Sequence, residues 1–123
     1  MAKTQTKLAS AICTFAAGLL LSGTALATFA ETPAYSVYQL RSHSTNQGGS
    51  LDWFTLNTTS TFGTTCAGWG GRIVFIIQDD EKGKKIYSII QAALLSGRTI
   101  SAAINDTKTS GGYCYVQYVT VGP

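Results

Sequence analysis

Acid–base equipment is what this chain has least of. Its 123 residues include one histidine, His43, and six carboxylates, and only 12% of residues are charged. Many serines and a few acids always allow a Ser/His/Asp set on paper, but no G-x-S-x-G elbow supports one. Phosphate cradles are missing as well. "GWGG" (68–71) has neither the following Lys-Ser/Thr nor G-x-G-x-x-G spacing, and reads as a flexible turn. The acid trio Asp79-Asp80-Glu81 stands at the start of a helical pattern, where acids commonly cap a helix rather than bind a cation. A non-catalytic protein without metal or cofactor is therefore expected.

A basic excess is missing too. The whole chain carries +3, but Lys3 and Lys7 belong to an export-signal pattern. They precede an apolar run from Leu8 to Leu21, and Ala25-Leu26-Ala27 forms an A-x-A cleavage box, with a second possible site after Ala30. The run is short and rich in small residues, and no stop-transfer stretch follows, so no membrane span is expected. Residues 1–30 are read as a signal peptide cleaved near 27–30, and 31–123 as one domain. Localisation is then secreted or periplasmic, in a bacterium. Cys13 lacks the small-residue box of a lipidated cysteine. Loss of Lys3 and Lys7 leaves seven basic against six acidic residues, a charge of +1. A nucleic-acid partner, which calls for a dominant basic patch, is not expected.

Three cysteines become two when Cys13 leaves. Cys66 and Cys114 in an oxidising compartment point to one disulfide. These two and His43 are too few, and wrongly spaced, for zinc. A staple suits a mature chain with a small core.

What is present reads mostly as strand. "YSVYQLRS" (35–42) alternates, "HSTNQGGS" (43–50) is a turn cluster, and "SLDWFTLNTTS" (50–60) is a second strand. In it Leu51, Trp53 and Thr55 share one face, Phe54 and Leu56 the other. A glycine-rich loop (61–71) leads to "RIVFIIQ" (72–78), apolar on both faces like a buried central strand. In "KKIYSIIQAALLSG" (84–97), Ile86, Ile89, Ile90, Ala93 and Leu94 follow one helical face, with Asp79 or Asp80 as N-cap and Gly97 as C-cap. Strands at 98–105 and 113–121 complete the order β-β-β-α-β-β. Five strands with a helix between the third and fourth match the OB fold, a small Greek-key barrel plugged by its helix. A flat α+β sheet is the other architecture open to this order.

Binding features exceed catalytic ones. Six tyrosines and two tryptophans suit stacking on sugar faces or burial in a protein interface. Tyr113, Tyr115 and Gln117 are placed opposite Cys114, Val116 and Tyr118. On the helix, Ser88, Gln91, Ala92 and Leu95 lie away from the expected core face. They mark either a solvated surface or an oligomer contact.

With "KKIYSIIQAALLSGRTISAAIN" (84–105), "AYS" (34–36) and the late cysteine of "YCYVQYVTV", the chain resembles the pentameric B subunits of AB-type bacterial toxins. The likeness covers most of residues 34–121 and is nearest to the subtilase-cytotoxin and typhoid-toxin group. It implies a homo-oligomer of five with helices around a pore, a cell-surface glycan as ligand, and a catalytic A subunit from another gene. It also implies Ser36, with Tyr35 beside it, as glycan-binding residues. The subtilase-type subunits place their cysteines differently, so Cys66–Cys114 departs from that pattern. The alternative is a secreted or periplasmic protein-interaction or inhibitor domain of the same fold.

Overall fold

In the computed structural model, residues 28–46 and 49–123 are described. Residues 1–27 of the export-signal pattern, Cys13 among them, lie outside the described residues, while 28–30 lie within them. The described chain is mostly β with one helix. In chain order its elements are β1 (Phe29–Glu31), β2 (Tyr35–Ser44), β3 (Ser50–Leu56), β4 (Gly68–Trp69), β5 (Arg72–Ile73), β6 (Phe75–Ile77), α1 (Glu81–Ser96), β7 (Thr99–Ser110) and β8 (Tyr113–Val121).

Five strands pair in a ring. β7 joins β2, β2 joins β3, β3 joins β6, β6 joins β8, and β8 returns to β7. All of these contacts are antiparallel except β6–β8, a parallel seam of two residue pairs, Phe75–Cys114 and Ile76–Tyr115. β1 adds outside the ring, on the edge of β7 that β2 leaves free. The side chain and backbone of Thr32 carry that pairing onward, through Thr32 N to Ala102 O (2.9 Å) and Ala102 N to Thr32 Oγ1 (3.0 Å).

Alternation decides what the ring encloses. Val37, Phe54, Leu56, Phe75, Ile77, Ile100, Ala102, Ile104, Cys114 and Val116 face inward and are buried. Phe54 and Phe75 stack at the centre, with ring centroids 4.8 Å apart. The apolar stretch 72–78 is two short strands rather than one. Arg72–Ile73 pairs with the β4 segment, while Phe75–Ile77 is buried throughout and belongs to the ring.

α1 closes one end. Asp80 is its N-cap, with Oδ1 accepting from Gly83 N at 2.7 Å, and Gly97 ends it in a left-handed conformation with its N–H on Ala93 O. Asp80→Ala is expected to cost about 1 kcal/mol, checked by urea denaturation. The buried stripe is Gly83, Ile86, Ile90 and Ala93. It is narrower than the periodicity suggests: Ile89 and Leu94 are 37% and 41% exposed, correcting their placement in the core. The stripe meets the inside of a five-stranded ring, whose end is too small to cover the whole apolar arc.

The second sheet is a miniature hairpin, Gly68–Trp69 against Arg72–Ile73. Gly70 (φ 61°) and Gly71 (φ 77°) both take left-handed conformations, as a two-residue type I′ turn requires. The expected flexible turn is thus a tight one. A disulfide joins Cys66, just before this hairpin, to Cys114 in β8. The Ala67 N–H donates to Gly112 O at 2.9 Å alongside it.

Candidate functional site

Outward-facing residues of the ring build an aromatic cleft. Trp53 on β3 and Ile76 on β6 are register partners, and Arg41 on β2 is the partner of Trp53 on its other side. Trp53, Val74 and Ile76 form a second buried cluster, edged by Leu51, Tyr113 and Tyr115. The β4–β5 hairpin then folds over it. Trp69 meets Trp53 edge-on, with centroids 6.0 Å apart and planes at 63°. The result is a cavity of about 240 Å³ lined by His43, Leu51, Trp53, Trp69, Val74, Ile76 and Tyr113. It lies just below the roughly 300–1,000 Å³ of drug-sized ligand pockets, so it suits a single ring-sized group. Trp53, 6% exposed, is the floor, and Trp69, 54% exposed, is a wall open to solvent.

Two guanidinium groups flank this face. Arg41 Cζ sits 5.7 Å from the Trp53 ring and 5.9 Å from Trp69, to one side of both indoles. Arg72 Cζ lies 3.8 Å over the exposed Tyr38 ring. Neither has a carboxylate partner among the described residues, where the one salt bridge is Lys84–Glu81. The buried Arg72 Nε has no hydrogen-bond partner. Cation–π contact holds both side chains in place while leaving N–H groups for another acceptor.

His43 belongs to the site by a correction. The turn expected from residue 43 begins later, because β2 runs on to Ser44, and His43 pairs with Leu51 on the cleft rim. Tyr118 is displaced the other way. The β7–β8 register slips between Ala103–Tyr118 and Ile104–Val116, so Gln117 is an extra residue. This bulge breaks the alternation, and Tyr118 does not share the inward face of Cys114 and Val116.

Ser36 and Tyr35 lie elsewhere. Ser36 is exposed near the start of β2, and its carbonyl accepts from Asn57 N at 2.9 Å. Tyr35, its neighbour, packs on the core and against Phe62, with ring centroids 6.2 Å apart. The two therefore occupy opposite faces of the strand. Ser36 and His43 stand seven positions apart along β2, roughly 20 Å in extended chain, so this pair and the tryptophan cleft are distinct places.

On α1, Ser88, Gln91, Ala92 and Leu95 are all exposed, Leu95 by 82%. Ile89 and Leu94 join them, which makes the outer helix surface more apolar than the periodicity implies. Ile89, Ala92 and Ser96 border a shallow groove completed by Arg98 and Val121.

The pairing of Trp69 with Trp53 is not evident from strand alternation. A signal existed in Gly70-Gly71, a two-residue hairpin turn that returns Trp69 toward the ring. No family model, curated protein or solved structure matches this chain.

Proposed function

We propose that this is an exported, non-catalytic, glycan-binding module of the toxin B-subunit type, acting as a homo-oligomer. The observation that carries the reading is the cleft in which Trp69 stands exposed over buried Trp53. Indole faces offer flat apolar surface to the C–H face of a sugar ring, while Arg41 and His43 at the rim offer donors to its hydroxyl or acidic groups. An acidic glycan fits the two guanidinium groups that have no internal carboxylate. Ser36 is a second contact point in this proposal, on another part of the surface.

An OB fold is the architecture we assign to the ring. Support comes from the cyclic pairing of its strands, the parallel β6–β8 seam, and a helix between the third and fourth ring strands. Export is supported by the Cys66–Cys114 bridge and by the leader pattern. A homo-oligomer would cover Ile89, Leu94 and Leu95, and a pentamer with an A subunit from another gene is the form the resemblance implies.

Glycan arrays probed with the oxidised protein test the binding. A set of hits on acidic glycans is expected. Trp69→Ala should weaken the best of them by about 2 kcal/mol, roughly thirty-fold, with the melting temperature little changed. A blank array together with a monomer in light scattering would sink the reading, and capture of a protein partner instead would favour an interaction or inhibitor domain.

A further inference from the structure

We propose that signal cleavage falls between Ala27 and Thr28, and that the α-ammonium it creates is captured by Asp106, latching β1 onto the ring. The sequence offers two boxes, Ala25-Leu26-Ala27 and Thr28-Phe29-Ala30. They differ by three residues, and those three are built into the fold.

Phe29, Ala30 and Glu31 pair with Asn105, Ile104 and Ala103 of β7. Ala30 packs against the core, and Phe29 lies against Tyr118, with ring centroids 6.3 Å apart. Glu31 accepts a hydrogen bond from the Tyr118 hydroxyl at 3.2 Å. Thr28 closes the strand with two reciprocal bonds. Its N–H donates to Asp106 Oδ1 at 2.8 Å, and the Asp106 N–H donates to Thr28 O at 3.2 Å. Cutting after Ala30 would discard Thr28, Phe29 and Ala30, leaving the β7 edge at Ile104 and Asn105 without its partners. Cutting after Ala27 keeps every one of these contacts.

It also strengthens one of them. A signal peptidase, with water as the co-reactant, breaks the Ala27–Thr28 C–N bond. The hydroxyl goes to the Ala27 carbonyl, which leaves as a carboxylate, and the Thr28 nitrogen takes up protons to become an ammonium. The neutral amide donor on Asp106 is thereby replaced by a charged one at the same place. A charge-assisted hydrogen bond is shorter and about twice as strong as a neutral one. Processing itself thus tightens the attachment of the first strand.

The inference rests on the export reading, and its test separates the two. The full chain is expressed in a bacterium and its periplasmic and cytosolic fractions are analysed by intact mass and N-terminal sequencing. A product beginning at Thr28 is expected. A product beginning at Glu31, or at any other exported N-terminus, overturns the assignment and leaves export standing. An uncut cytosolic chain overturns both. The capture has its own readout. Proteins starting at Thr28, and with one glycine ahead of Thr28, are each compared with their Asp106→Asn forms. The substitution should lower the melting temperature of the first pair by roughly 4–8 °C more than that of the second. Equal losses would show that Asp106 serves only the amide bond, and would overturn the ammonium capture.

Discussion

Replacing both Cys66 and Cys114 by alanine is expected to lower the unfolding free energy by about 4 kcal/mol, read from urea denaturation. The bridge closes a loop of sequence separation 48, and the entropy that loop regains in the unfolded chain sets that size. Position adds a functional effect. Cys114 is fully buried at the β6–β8 seam, and Cys66 leads directly into the hairpin that carries Trp69. Beside the bridge, Ala67 N to Gly112 O (2.9 Å) ties the entry of that hairpin to the turn before β8, and buried Ile73 and the Trp69–Trp53 contact seat it on the ring. Reduction should therefore loosen the Trp69 wall before the ring unfolds. Trp69 is a fluorescent reporter for this. Its emission should shift red on adding a reductant at denaturant concentrations where the far-UV circular dichroism is unchanged. A reduced protein with an unaltered midpoint would count against the bridge as a staple.

Gly83→Ala should destabilise the protein strongly, on the order of 3 kcal/mol, although alanine is the better helix former by about 1 kcal/mol. A Cβ at position 83 would lie well inside contact distance of the Gln78 carbonyl oxygen and 2.7 Å from its carbon. Both are backbone atoms, so no rotamer change relieves the overlap. The connection from β6 into α1 passes directly over the first helical turn there, and Gly83 is the residue whose N–H the Asp80 cap holds. To make room, the helix start would have to lift from the ring and take Ile86 out of the core. Lys84→Ala, on the exposed side of the same turn, is the control and should stay within about 0.5 kcal/mol. A Gly83→Ala midpoint equal to or above that of the parent would refute the close approach.

The helix was legible because its signals are local. Asp80, Glu81 and Gly97 mark its ends, and Ile86, Ile90 and Ala93 fall at helical spacing. Periodicity reports which side chains are apolar, however, not how much surface awaits them. That is why Ile89 and Leu94, on the same arc, lie outside the core. The major strands were legible for the same reason, as in β3, where Trp53 and Phe54 fall on opposite faces as alternation predicts. β1 was not legible. Three residues are too few to show alternation, and they adjoin a cleavage pattern that claims the same letters. Tyr118 was misplaced because one extra residue, Gln117, reverses the parity of everything after it. The aromatic cleft needed two facts that no local pattern holds. One is that β4–β5 folds back on β3, and the other is that Arg41 and Trp53 are partners across strands. Tyr35 and Ser36, by contrast, are adjacent in the chain and end on opposite faces.

The two-pair seam between β6 and β8 has a consequence for the order of assembly. A chain made from its N-terminus presents β6 some forty residues before its partner, since Phe75 meets Cys114 and Ile76 meets Tyr115. Without β8, the sheet of β7, β2, β3 and β6 would be open, and Cys66 would lack Cys114 as its partner. β7 supplies the edge for β1 and β2, but the ring still lacks its last wall. The final nine-residue strand, Tyr113–Val121, closes it from both sides. Losing those residues would leave a sheet with two bare edges, a shape that pairs with other copies of itself. Tyr113–Val121 therefore separates a closed ring from an open sheet prone to aggregate.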